Sequence, residues 1–565
     1  MTQDADVADE GPDRLGGRPA GGGLWWCAAL IVVAGVAAYH NSLRAPFVFD
    51  DDPSIVENPT IRRLWPPGPM LNPPAKGQAV QRRPVVNVSL AVNYAISGLS
   101  VWSYHATNVG LHLLAALTLL GIVRRTLESP RLRERFGAQA LGLATTVAGL
   151  WAVHPLLTDA VTYIIQRTEV LAGLFYLLTL YAVIRGDSSS TPGRWYVGAV
   201  AACLLAMGSK EAAVSAPVVV LVYDRIFLAR SWREIRQKRE WLYRGMAATW
   251  VVVILLVPRG AEGSQIFGAA HARFQYALAQ GEAIVRYLGL CFWPGPLAVD
   301  YGFCPPQTVG GALPYLAVVA ALLGATVWAF WCRAELAFLG LSFFAILAPS
   351  SSIIPLPQQV AAEKRMYLPL AAVVTLTVVG GWALWTALTR RWARRWLVAV
   401  PIALAALAGV ALAARTVVRN DDYRTAEALW VSAVNTKPAN PHARNNLGNA
   451  LQQLEHYDQA AEQYQEALRL WPNYPEAESN WGNTLARRKR FDEAIPHYEK
   501  ALGMKPDFAE AHRYWGNVLF LQGRYADAAG HHREALRLKP DYPAAAEDLR
   551  RAEKKLRATR KAGTP

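Results

Sequence analysis

Apolar and polar positions alternate along this chain on two different scales. From residue 24 to about 418, long apolar runs are separated by short polar loops, and a bilayer span takes roughly 20 apolar residues. The runs 24–43, 102–124, 138–155, 168–185, 195–208, 212–228, 245–258, 313–331, 335–349, 366–388 and 397–417 predict about eleven transmembrane helices. The segment 274–293 carries Gln275, Gln280, Glu282 and Arg286, and reads as an interfacial or re-entrant helix. Beyond residue 418 the chain becomes charged and amphipathic at helical spacing.

The C-terminal part repeats itself at a period of 34 residues. Gly448, Gly482 and Gly516 keep step with Ala460, Ala494 and Ala528, with Ala467, Ala501 and Ala535, and with Pro472, Pro506 and Pro540. This is the tetratricopeptide pattern, in which small residues let two antiparallel helices approach and proline ends the second. The expected division is a partial repeat over 419–440, repeats at about 441–474, 475–508 and 509–542, and a polar capping helix over 543–560. Such an array forms either a helical spacer or a concave surface for a peptide or partner protein, and the second reading is preferred. Nothing in it looks catalytic.

Composition sharpens the class. Of 565 residues 53% are hydrophobic and 18% charged, too apolar for one ordinary soluble domain. The formal charge of +15 sits largely in loops beside apolar runs, which points to membrane orientation and away from nucleic acid. The basic loops Arg124–Arg135 and Arg225–Arg244 are four helices apart. The cluster Arg390, Arg391, Arg394 and Arg395 joins their side only if 274–293 does not cross. Eleven spans then place the N-terminus in the cytoplasm and the repeats outside, in a periplasm or lumen, with a bacterial inner membrane favoured over the endoplasmic reticulum. Residues 1–23 read as a disordered cytoplasmic segment and the run 24–43 as a retained helix. The cysteines have no zinc spacing, and only Cys291 and Cys304 are candidates to pair.

Candidate chemistry gathers in the loops of the outer face. The loop 44–101 opens with Asp50-Asp51-Asp52 directly after a membrane helix, where adjacent carboxylates repel and are costly. They read as a general base, as metal ligands or as a solvated loop start. The same loop holds Arg83-Pro84 and an amphipathic stretch, Val85–Ile96, suited to the bilayer surface. Other loops carry His154 and Asp159, then Arg167 and Glu169 at a helix start, Lys210-Glu211, and Gln358-Gln359 with Glu363-Lys364-Arg365. Singly these read as packing, capping or anchoring residues. Converging from several loops on one face, they form a candidate site. No GxxxxGK[ST], HExxH or GxSxG motif is present, so a soluble nucleotide-binding domain is not expected and a substrate would arrive through the membrane.

Taken in order, Phe49-Asp50-Asp51, Asn58-Pro59, Arg83-Pro84, Tyr104-His105, His154-Pro155 and Arg167-x-Glu169 resemble the TMTC-like (transmembrane and tetratricopeptide repeat) proteins. The likeness continues through Ser209-Lys210-Glu211, Trp293-Pro294, Asp300-Tyr301 and Glu363-Lys364-Arg365-Met366-Tyr367. Those proteins are O-mannosyltransferases of the GT-C superfamily. The resemblance implies an all-α polytopic GT-C-like domain over 24–418, followed by the α-solenoid. It implies an inverting transfer of mannose or a similar sugar from a polyprenyl or dolichyl phosphate donor to Ser or Thr of a protein. The alternatives are a GT-C enzyme modifying a glycan or lipid, and a non-catalytic membrane scaffold. Carried over, the base is Asp51 or Asp50, with Asp52 and Glu169 as supporting acids. Arg365, Lys364, Lys210 and Arg83 would neutralise the leaving phosphate, and His154, Arg167 and Glu363 complete the candidates. The implied partners are the lipid-linked sugar donor, membrane lipids and an acceptor protein in the repeat groove. No cofactor is implied beyond that donor, and a divalent metal is left open.

Overall fold

The computed structural model describes residues 22–73, 79–256, 270–302, 308–349, 360–389 and 396–562. Among these residues every regular element is a helix. Residues 1–21, Cys304, Gln358-Gln359 and the basic cluster 390–395 lie outside the described residues, and so do the readings that fell on them.

Apolar length decides which helices cross. Gly23–Arg44, Val101–Leu127, Ile164–Asp187, Val309–Cys332, Pro369–Thr389 and Ala399–Tyr423 are each long and apolar enough. The pair Arg133–Ala152 and Pro155–Val161, bent by 52°, makes up to a seventh. The chain is an integral membrane protein on these helices. Among the described residues, the runs 195–208, 335–349, 212–228 and the part 245–256 of the run 245–258 form helices and short turns that fall short of that test. The third of them is built from Ala216–Tyr223 with short turns at either end, and the fourth is divided between Trp232–Ala248 and Trp250–Leu256. Residues 274–292 lie within one continuous helix, Ala270–Phe292.

The helix Arg167–Asp187 runs about 30 Å at 1.5 Å per residue and sets the two faces of this half. At its far end Asp187 meets Arg239, which Asp224 also holds at 2.8 Å, beside the basic loop. At its near end lies the acidic loop. Pro84–Ser97 shields that loop, burying Val86, Leu90 and Ala91 while leaving Val92 and Ile96 exposed, as suits a helix lying on a bilayer surface.

The repeat helices pair as Pro441–Gln453 with Tyr457–Leu470, Pro475–Arg487 with Phe491–Met504, and Ala509–Leu521 with Tyr525–Leu538. The glycine of each pair is a close-packing requirement. A Cβ on Gly448 would lie 2.6 Å from the Tyr464 ring, and one on Gly516 2.6 Å from His532. One hydrophobic core runs without a break from Ile31 in the first membrane helix through Trp430 and Leu447 to Tyr464. The first repeat is thus part of the membrane domain's core and is not a tethered appendage.

Candidate active site

The acidic loop is built by a tight turn. The Asp51 N–H donates to the Val48 carbonyl at 3.0 Å, which throws Phe49 to φ 50°, an uncommon conformation for a bulky residue. The turn sends its two first carboxylates in different directions. Asp51 is fully buried, and its oxygens accept from Val48 N–H at 3.0 Å and Ile165 N–H at 2.8 Å. It therefore fastens the loop to the head of the Arg167–Asp187 helix. Burial pushes its carboxyl well above the usual range against the pull of those two bonds. Asp50 is half-buried, and its own N–H donates to the Tyr163 hydroxyl at 2.9 Å. Burial raises its carboxyl too, while Lys364, Tyr163 and His442 pull it back down. Asp52 is exposed and starts the turn Asp52–Val56.

Facing Asp50 is the short turn Glu363–Met366, which carries three consecutive charges three ways. Glu363 points inward, fully buried, and accepts from Ala298 N–H at 2.5 Å, the Tyr301 hydroxyl at 2.7 Å and Arg419 at 3.4 Å. Burial lifts its carboxyl to about 7. Lys364 turns to the acids. Its N–H donates to Asp159 at 3.3 Å, and its charge acts on both Asp50 and Asp159. Arg365 turns the other way, donating to the Val360 carbonyl at 2.9 Å. It lines a narrow cleft with Glu169, Lys210, Gly173, Tyr176, Ile346 and Leu368. There Lys210 is hydrogen-bonded to Glu169. Tyr367 can follow this turn only because residue 173 is glycine: a Cβ there would sit 2.4 Å from the Tyr367 ring.

The remaining candidates support this frame. Arg83 pairs with Glu211 at 3.3 Å, next to Lys210 but not among the residues lining the cleft. His154 caps the bend after Ala152, accepting from Leu156 N–H at 3.2 Å, with its Nε2 3.1 Å from the Cys291 carbonyl. Arg167 is fully buried. It donates to Asn108 and Asn93 at 2.7 Å each and to the Tyr104 carbonyl at 3.0 Å, so neutral oxygens surround its guanidinium. Among the described residues no group of His, Cys, Asp or Glu is arranged to hold a metal.

Several residues here were not singled out from the sequence alone. Tyr163 contacts Asp50, Tyr423 donates to Asp159 at 3.3 Å, and Arg419 reaches Glu363. The repeat array also enters: Trp430 packs edge-on against Phe49 at 5.2 Å, and His442 bonds to Asp300. Arg419 and Asn420 at the end of the last apolar run were the available signal, since polar groups at that depth are costly.

The tetratricopeptide repeat family model matches residues 441–474 and 479–543. Human protein O-mannosyl-transferase TMTC1 is 26% identical over 522 residues, covering 81% of this chain and 57% of that protein. Protein O-mannosyl-transferase Tmtc3 of Drosophila melanogaster is 27% identical over 517 residues, covering 78% of this chain and 54% of that protein. The chain thus spans a little over half the length of the curated relatives it matches. Among solved structures, ArnT from Cupriavidus metallidurans bound to undecaprenyl phosphate matches at 16% identity and a TM-score of 0.38. That match covers 91% of this chain and 80% of the other.

Proposed function

With the chain a homologue of the TMTC proteins over most of its length, we propose that it is a GT-C-type membrane glycosyltransferase. It transfers mannose or a similar sugar from a polyprenyl or dolichyl phosphate to a protein Ser or Thr hydroxyl on the non-cytoplasmic face. Residues 24–418 form the catalytic unit, and the repeats over 419–560 receive the acceptor.

The observation that carries this reading is the turn Glu363–Met366. Lys364 attends the half-buried Asp50, and the next residue, Arg365, lines a cationic cleft walled by Ile346 and Leu368. Consecutive Cα atoms are 3.8 Å apart, so a base and an anion site flank one peptide unit. A lipid phosphate with its chain along the apolar wall brings its phosphate to Arg365 and Lys210. Its anomeric carbon then projects towards Asp50. Asp50 takes the proton from the acceptor hydroxyl as it attacks, in a single inverting displacement, and the phosphate leaves against fixed positive charge. Asp51 keeps the loop in place, and Glu169 holds Lys210 until the phosphate shares it.

Kinetics with varied polyprenyl-phosphate mannose test the phosphate site. Arg365→Lys keeps the charge but loses the planar fork that holds two oxygens at once. Donor affinity or turnover should weaken by about 1.5–3 kcal/mol. Unchanged donor dependence in both Arg365→Lys and Arg365→Gln, on properly inserted protein, would remove this residue from the site.

A further inference from the structure

The repeat array breaks its own pattern where it meets the membrane domain. In the second and third repeats, Glu476 and Glu510 each pair at 3.0 Å with a lysine 29 residues later, Lys505 and Lys539. Thirty-four residues earlier, these two positions hold His442 and Trp471. The ion pair within the repeat is gone, and His442 bonds instead to Asp300, a buried residue of the membrane domain. Around this exchange the two halves grip each other closely. Asn440 donates to the Asp300 carbonyl at 3.1 Å, and Thr436 and Arg419 both donate to the Leu297 carbonyl. The Phe49 ring, next to Asp50, meets Trp430 at 5.2 Å, and Trp430 meets the His442 ring at 6.1 Å.

We propose that the first repeat supplies His442 to the active site as a positioning residue. Fixed on Asp300 and set against Trp430, whose ring meets Phe49, it holds the seated array beside Asp50 and so makes proton abstraction depend on that seating. The inference rests on the reading of Asp50 as the base. The charged groups facing His442 are Asp300, Asp50 and Glu476, the last already engaged by Lys505. Those around Asp50 are Lys364, shared with Asp159, the Tyr163 hydroxyl, and Asp51 in its own loop. Asp300 raises the His442 imidazolium above its ordinary value despite burial, and His442 in turn lowers Asp50. The sign follows. Without the cation the Asp50 carboxyl rises further, and activity that needs it ionised is lost at a higher pH as the solution is acidified.

The test is the pH profile of kcat/KM for the full-length chain, with polyprenyl-phosphate mannose and a Ser/Thr peptide. His442→Gln should move the acid limb to higher pH, since the cation that lowers Asp50 is removed. His442→Lys should return the limb towards the wild type. Asp300→Asn, which removes the partner of the imidazolium, should move it the same way as His442→Gln, and serves if that variant fails to insert. A limb that stays put in active variants, with rates lowered equally at every pH, would leave His442 as a structural contact and overturn the inference. If Asp50→Asn itself retains normal turnover, the reading of the base fails first, and the two failures are distinguishable.

Discussion

Asp50→Asn is expected to cut turnover by about 10²–10⁴-fold, the usual contribution of a positioned general base, while insertion and thermal stability stay near the wild type. The amide keeps the shape of the carboxylate but cannot take a proton. Asp50 is half-buried, and the bond from its backbone N–H to the Tyr163 hydroxyl survives the substitution. The neighbouring substitution should behave oppositely. In Asp51→Asn one of the two N–H groups of Val48 and Ile165 would face the amide nitrogen. An unsatisfied buried group costs about 1–3 kcal/mol, so the loss should appear first in stability. Turnover measured against the unfolding midpoint separates the two. If Asp51→Asn is stable and inactive while Asp50→Asn is active, the roles of the pair are reversed.

The second large effect is expected at Arg167. Its guanidinium ties Asn93 on the helix Pro84–Ser97 to Asn108 and the Tyr104 carbonyl on Val101–Leu127. Asn108 in turn donates to the Ile164 carbonyl at 3.1 Å, beside the N–H that holds Asp51. Arg167→Gln orphans several buried acceptors at once and should cost about 3 kcal/mol or more. Arg167→Lys should rescue little, because one ammonium cannot reach acceptors arranged around a planar fork. Thermal unfolding of the solubilised protein without donor is the measurement. A variant that unfolds like the wild type yet cannot turn over would move Arg167 from the scaffold into contact with substrate.

The all-helical membrane class and the repeats were legible because each is a local periodic signal, an apolar run or small residues returning every 34 positions; of the eleven runs, six to seven form helices long and apolar enough to cross among the described residues. The candidate face was legible too, since Asp50, Glu169, Lys210 and Arg365 are charges placed beside apolar runs, where charge needs a reason. What each charge does was not. Asp50 and Asp51 are neighbours in sequence, and only the turn at Phe49 decides which is buried against backbone amides and which faces Lys364. Arg167 and Arg365 look alike in the sequence, yet one is enclosed by asparagines and the other lines a cleft. The seating of the array depends on His442 meeting Asp300, 142 residues away. The sequence marks that contact only by a histidine where the later repeats have glutamate.

The central claim is that a base and a lipid-phosphate site flank the turn Glu363–Met366. Purified full-length chain, incubated with radiolabelled polyprenyl-phosphate mannose and a Ser/Thr-rich acceptor protein, tests it most directly. The account predicts label on acceptor hydroxyls, released by hydrolysis as mannose, in the wild type and not in Asp50→Asn. Label transferred equally by both proteins, or by neither when the wild type is folded and supplied with lipid-linked mannose and other lipid-linked hexoses, would contradict it.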